Sequence, residues 1–319
     1  MNDSLSDYLE RQINVGLPHE LALVIITLAN ASLRIADHVR LSVFDTNDDA
    51  LGCMNVQGEV QKKLDVLAND IILAACRKLP QVSYAVSEEL AEAIVNSDVG
   101  QYAVVFDPLD GSSNLDVNIS VGSIFSIIKA QQSSDLLQPG SAQLFAGYVA
   151  YGPTTILVFT LGTDVAMFAV DDARCYRLLN ETVKVPVRFA EYSINASRRL
   201  EWPAPVSSFV NDCNRGDQGP LEQRYNMRWV GSMVAELHRI LLRGGVFLYP
   251  SPTSPSSGKL RLMYEANPMG LIYEAAGGAA WTGAERILDV LPTSLHQRTG
   301  VIIGSVGEVS IVKRYFAEQ

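Results

Sequence analysis

A chain of 319 residues is long enough for two domains at roughly 150 residues each, and its composition, 48% apolar against 19% charged, lies far from that of a disordered segment. Its 35 acidic and 25 basic side chains leave a net charge of −10, which excludes nucleic acid bound through a basic face and means that an anionic ligand would need local cations. Four scattered cysteines, Cys53, Cys76, Cys175 and Cys213, form no CxxC pair and suit a reducing, cytoplasmic setting.

In chain order, Asp3 and Asp7 stand where a signal peptide would be basic, and the apolar run Leu21 to Ala29 is about half of a ~20-residue membrane span, so no membrane partner is expected. Leu17 to Arg40 carries Leu21, Val24, Leu28, Ile35 and Val39 at helical spacing, with Pro18 in the first turn. Val60 to Leu79 repeats the pattern until Pro80. Val82 to Val86, Tyr102 to Phe106, Ser120 to Ile128, Tyr148 to Tyr151 and Thr155 to Leu161 read as strands, being short, β-branched or aromatic, and bounded by turns. Arg199 to Gln223 is rich in Pro, Asp, Asn and Gly, Ser251 to Gly258 reads as a Ser/Pro/Gly loop, and neither reads as a long flexible linker. Ser232 to Arg243 is an amphipathic helix ending on Gly244-Gly245, and Val246 to Tyr249 a strand. Asn267-Pro268 reads as the N-cap and first turn of another helix, ended by Gly277-Gly278. The alternation of strands and helices predicts a layered α/β fold.

Chemistry concentrates in Phe106-Asp107-Pro108-Leu109-Asp110-Gly111-Ser112-Ser113-Asn114. An apolar strand is expected to stop at two carboxylates, Pro108 to break the pairing, Gly111 to allow a sharp turn, and Ser112-Ser113 to offer hydroxyls and N–H groups to an oxyanion. Two hard oxygen ligands beside a phosphate cradle suggest Mg²⁺. A type I turn would account for Asp-x-x-Asp-Gly without any metal. Likewise Ser87-Glu88-Glu89 fits a helix N-terminus, Glu59 and Asp65 fit the start and edge of a helix, Glu265 could merely precede Asn267, and Lys259 and Arg261 could share a solvated strand face. His238, Trp202 and Trp281 read as packing residues.

Taken together, these segments resemble class I fructose-1,6-bisphosphatases, most closely the bacterial branch of that family within the lithium-sensitive, inositol-monophosphatase-like superfamily. The resemblance spans nearly the whole chain through Gly58 to Asp65, Val86 to Glu89, Phe106 to Asn114, Tyr192 to Asn195, Asn226 to Glu236 and Gly258 to Met269. It implies an α/β/α/β/α sandwich of the sugar-phosphatase type, with a regulatory-like domain over residues 1–184 and a sugar-binding domain over 185–319. It further implies Mg²⁺, with Mn²⁺ as a substitute, bound by Glu88, Glu89, Asp107, Asp110, Glu265 and the Leu109 carbonyl. Asp65 and Glu89 would activate water, with Glu59 on a mobile loop. Gly111, Ser112 and Ser113, with Asp110, would hold the phosphate that is cleaved. Asn195, Arg228, Tyr249, Lys259 and Arg261 would hold the sugar and distal phosphate, Arg228 reaching in from a neighbouring copy in a homotetramer or homodimer.

The implied activity is 1-phosphate hydrolysis of the small-molecule sugar bisphosphate fructose 1,6-bisphosphate. Sedoheptulose 1,7-bisphosphate is the alternative or second substrate, and a silent sugar-phosphate sensor is a rival of another class. The chain also departs from the family pattern. Glu59 stands where Asp is common, Trp229 where Tyr is frequent, and Ala196-Ser197-Arg198 replaces Glu-Gly-Tyr, so Arg198 would substitute charge for a lost hydroxyl. Gln101, Lys129 and Leu17-Pro18-His19 alter the AMP-binding positions, so AMP inhibition is not expected to carry over.

Overall fold

The computed structural model describes residues 3–42, 63–252 and 258–318; Cys53, Glu59 and the segment 58–62 of the first family motif lie outside the described residues. Helix α1 (Leu5–Asn14) is closed by a capping box in which Ser4 and Asp7 bond reciprocally. Helix α2 (His19–Leu41) follows, with Pro18 just before its first turn, and then α3 (Lys63–Cys76). By length and composition α2 could cross a bilayer, yet Leu21, Val24, Ile25, Leu28 and Ile35 are buried in a protein core.

The larger sheet comprises β1 (Val82–Ser87), β2 (Ile94–Val95), β3 (Tyr102–Asp110), β4 (Val121–Lys129), β5 (Phe145–Tyr151), β6 (Thr155–Thr160), β7 (Val165–Val170) and β8 (Tyr176–Asn180). Its order is β2-β1-β3-β4-β5-β6-β7-β8, antiparallel except where β1 meets β3. The smaller sheet contains β9 (Glu191–Ile194), β10 (Asn226–Met227), β11 (Val246–Tyr249), β12 (Gly278–Trp281) and β13 (Val301–Ser305) in the order β10-β9-β11-β13-β12. The remaining helices are α4 (Ala204–Asn214), α5 (Met233–Arg243), α6 (Asn267–Ala275) and α7 (Val306–Ala317).

Three cores define the layers. Residues of α1, α2 and α3 pack with Val104, Phe106 and Phe125 on one face of the larger sheet. Residues of α5 and α6 fill the space between the sheets, against Ile124, Tyr148 and Val158 on one side and Phe247 and Ile303 on the other. Residues of α4 and α7 cover the outer face of the smaller sheet. This is the expected α/β/α/β/α stack. Every residue of β3 is buried because both of its faces are covered.

Several local expectations change. Residues 204–214, inside the stretch rich in Pro, Asp, Asn and Gly where no helix is expected, form α4, whose Val206, Phe209, Val210 and Cys213 make an apolar stripe that outweighs the flanking Pro and Asp. Glu88 and Glu89 lie in a turn after β1 rather than at a helix N-terminus. Asn267 is no N-cap: a π-helical turn over Leu262–Ala266 already runs into α6. The alternating Leu260 to Tyr264 run is therefore not the expected strand. His238 is structural, as expected, with its Nδ1 2.9 Å from the Tyr148 hydroxyl, and Trp202 and Trp281 are buried.

Candidate active site

Regular alternation would send Asp107 and Asp110, three residues apart, to opposite faces of β3. Instead the strand continues past Pro108, and one extra residue intervenes between the pairs Asp107 with Ile124 and Asp110 with Gly122. This bulge, at the residue that has no N–H to donate, turns Leu109 toward the core that holds Val104 and Phe106. Asp110 is thereby brought round to the side of Asp107. The expected strand ends at Phe106; β3 instead runs on to Asp110 and bends between Asp107 and Asp110. The Pro108 carbonyl accepts from Ser123 Oγ at 2.7 Å, and the Leu109 N–H donates to Asp107 Oδ1 at 3.0 Å.

Gly111 follows at φ 76, and an added Cβ would lie 2.5 Å from Ser232 Cβ, so both conformation and space require glycine. Ser112 and Ser113 then open a short 3-10 turn. Asn114 ties this turn across the molecule by donating to the Val230 carbonyl at 3.1 Å.

The N-terminus of α5 meets Asp110. Ser232 Oγ and the N–H groups of Met233 and Val234 donate to its carboxylate at 2.6, 3.2 and 2.8 Å. Glu265 arrives on the π-helical turn, with its carboxylate accepting from the Arg261 N–H. Asp107, Asp110 and Glu265 are all buried, and each offers an oxygen within 4.8 Å of the others.

Charge on this cluster is strained. Burial, then Glu88, Asp110 and Glu265, hold the Asp107 carboxyl well above the usual range. Burial and Glu88 do the same to Glu265. For Asp110 burial also raises the value, opposed by the bonds from Ser232, Val234 and Met233 and by the charge of Lys259. An all-oxygen donor set whose members repel one another fits a hard divalent cation, which would relieve the repulsion and keep the acids ionised. Of the acids expected to converge, Asp107, Asp110 and Glu265 lie in contact range, and Glu88 acts on two of them.

Arg261 is only 2% exposed, contrary to the expected solvated strand face, and its Nε stands 3.6 Å from Glu88 Oε1. Lys259, by contrast, is exposed, and with Asn195 and Tyr249 it lines a pocket of about 190 Å³ that also includes Arg198 and Arg298. Asn195 Oδ1 accepts from Ser197 N and Oγ, and Arg198 pairs with Glu201 at 3.0 Å. Asp65 lies on the buried face of α3, and one turn further along that face Asn69 Oδ1 accepts from Ser87 Oγ at 2.7 Å, beside the Glu88-Glu89 turn. Arg228 does not line the pocket within its own chain; its Nε is 3.8 Å from Glu191 Oε2.

Sequence reasoning missed Ser232 as a donor to Asp110, Arg298 in the pocket, Tyr264 beside Glu88, and Glu191. Only Glu191 carried a local signal, a carboxylate inside the run Ala190-Glu191-Tyr192-Ser193-Ile194.

Comparison with known proteins agrees with this geometry. Residues 8–180 match the family model described as fructose-1-6-bisphosphatase, N-terminal domain, and residues 185–317 match the corresponding C-terminal domain. A class 1 fructose-1,6-bisphosphatase of Alkalilimnicola ehrlichii is 46% identical over 94% of this chain and 93% of its own. The holo form of Leishmania major fructose-1,6-bisphosphatase superposes with a TM-score of 0.92 at 31% identity, covering 100% of both chains. The T-state of the same enzyme gives 0.86 at 32% identity over 99% of each. The chain belongs to the fructose-1,6-bisphosphatase family.

Proposed function

We propose that this family member hydrolyses the 1-phosphate of fructose 1,6-bisphosphate to fructose 6-phosphate and inorganic phosphate, as a Mg²⁺-dependent enzyme that also accepts Mn²⁺. The observation that carries the reading is the burial of Asp107, Asp110 and Glu265 with oxygens within 4.8 Å of one another. With Glu88, Glu89 and the Leu109 carbonyl, these residues would hold the cations. Bound divalent ions neutralise ester oxygens, acidify water and stabilise the departing alkoxide.

In this reading Asp65 and Glu89, assisted by Glu59, orient the attacking water and take its proton. Oxygen bonds to phosphorus as the bond from phosphorus to the C1 oxygen breaks, and that oxygen departs as an alkoxide that takes up a proton from solvent. Asp110, Gly111, Ser112 and Ser113 orient the reacting phosphate. Asn195, Tyr249, Lys259 and Arg228 hold the sugar and its far phosphate, Arg228 from a neighbouring copy in a homotetramer or homodimer; its guanidinium is half exposed, as such a role needs. The influence of Lys259 on Asp110 supports a far-phosphate pocket that opens beside the acids. Arg261, buried against Glu88, serves the acidic cluster more directly than the sugar.

The same reading sets a division between residues 1–184 and 185–319, supported by the separate matches to 8–180 and 185–317. Bacterial-branch membership is supported by 46% identity to the Alkalilimnicola relative against 31% to the Leishmania enzyme. Free thiols at Cys76, Cys175 and Cys213 fit a cytoplasmic setting.

Phosphate release from fructose 1,6-bisphosphate and sedoheptulose 1,7-bisphosphate, each with and without Mg²⁺, tests the assignment. Metal-dependent release with higher kcat/KM for the fructose substrate is expected. The reverse preference would move the assignment to the seven-carbon substrate, and absence of release from either would leave a binding protein.

A further inference from the structure

If Arg228 holds a phosphate, something must aim its flexible side chain. The strand register supplies a candidate. Asn226 lies opposite Glu191 in the parallel β9–β10 pair, and Arg228, two residues on, donates its N–H to the Tyr192 carbonyl at 3.0 Å. Residues two apart on a strand share a face, so Arg228 falls on the face of Glu191. Glu191 has no solvent exposure. Its Oε1 accepts from Arg239 Nε at 2.7 Å, whereas Oε2 has no hydrogen-bond donor among the described residues and faces Arg228 Nε at 3.8 Å.

The surrounding charges make this approach specific. Arg239 is shared, its Nη1 bonding Glu236 at 2.5 Å, and Glu236 also accepts from the Val230 N–H. Two fully buried carboxylates thus divide one largely buried guanidinium, and Arg228 brings the second positive charge. A buried carboxylate oxygen lacking a donor is unfavourable, so Oε2 draws the nearest cation toward it. The planar guanidinium allows this without loss of function: with Nε turned to Glu191, the two terminal nitrogens stay free to grip phosphate as a fork.

We propose that Glu191 is a positioning residue that anchors Arg228 by its Nε edge and aims its terminal nitrogens at the distal phosphate of the substrate. The inference rests on the reading of Arg228 as a phosphate ligand. Glu191 does not touch substrate.

The test is steady-state phosphate release from fructose 1,6-bisphosphate with Mg²⁺, using the full chain carrying Glu191→Gln, Arg228→Met or both. Arg228→Met is expected to raise KM by about tenfold, equivalent to about 1.4 kcal/mol. Glu191→Gln is expected to raise KM roughly threefold to tenfold with kcat little changed, and to add nothing once Arg228 is Met. A Glu191→Gln effect of undiminished size in the Arg228→Met background would show a general structural role and overturn the proposal, as would an unchanged KM in Glu191→Gln alone. An unchanged KM in Arg228→Met would instead remove the reading of Arg228 itself.

Should Glu191→Gln fail to fold, Glu191→Asp retains the charge for Arg239 while withdrawing it from Arg228, and the same pattern is expected. Arg228→Lys is a further arm that leaves the buried pair intact. A single ammonium cannot pair with Glu191 and present a fork at once, so KM should rise nearly as far as in Arg228→Met; a wild-type KM would overturn the anchoring argument.

Discussion

Asp107→Asn would show how strongly the acidic cluster is held together against its own charge. The amide oxygen can still accept from the Leu109 N–H, 3.0 Å from Oδ1 in the native turn, so the substitution removes charge and keeps shape. At 4.8 Å and an effective dielectric constant of ~20, two like charges repel by about 3.5 kcal/mol, and Asp107 has both Asp110 and Glu265 within that range. Proton uptake by the metal-free cluster relieves part of this, leaving an expected gain in stability of about 1–3 kcal/mol.

The sign with pH follows from the raised values. An acid whose folded-state pKa exceeds its unfolded value of 3.8 binds more protons folded than unfolded. The metal-free wild type therefore loses stability as pH rises through the raised values, and Asp107→Asn should have a flatter profile lying above it. Urea unfolding of metal-stripped protein, from about pH 5 to about pH 8, reads both. Adding Mg²⁺ should stabilise wild type more than the variant, because binding rewards the state with the complete ligand set. A metal-stripped Asp107→Asn less stable than wild type near pH 8 would refute the reasoning.

Asp65→Asn should lower kcat by roughly 10²–10⁴ without loss of folded protein, and near-normal turnover would remove Asp65 as the base. Ser232→Ala should destabilise by about 2 kcal/mol, since Oγ both caps Ala235 N at 3.2 Å and donates to Asp110. Ser232→Gly should lose about 1 kcal/mol less, because glycine is tolerated as a cap; equal losses would count against the dual role. Burial holds His238 below its ordinary 6.5, so the stability it contributes is complete above that pH and lost as pH falls through the lower folded-state value. His238→Gln should flatten the acid limb of the unfolding profile, and an unchanged limb would reassign it. Micromolar AMP should leave turnover largely unchanged given Gln101 and Lys129, and strong inhibition would show that those substitutions are tolerated.

Where one physical signal dominated, the sequence was readable. The helical spacing in α2 and α5 and the β-branched runs of β1, β3 and β4 are buried as their periodicity required. Where two signals competed, the outcome depended on tertiary contacts. In α4 the apolar stripe won over Pro and Asp, and between Leu260 and Tyr264 an alternation suited to a strand was overruled by a π-helical turn that carries Glu265. The convergence of Asp107, Asp110 and Glu265 could be inferred from family likeness, but the means could not: the bulge at Pro108 arises from pairing with β4, and the donors from α5 come from more than a hundred residues further along the chain. Arg261 shows the same limit, since spacing alone cannot distinguish a solvated cation from one buried against Glu88.

The bend at Pro108 makes the pairing register of this segment as consequential as the identities of its residues. Without the bulge, plain alternation through the same residues would put Asp110 on the face opposite Asp107, toward α3, and turn Leu109 into the acids. No side-chain replacement could compensate for that inversion. The bulged pairing of β3 with β4 is consequently as much a part of the acidic cluster as the carboxylates it carries.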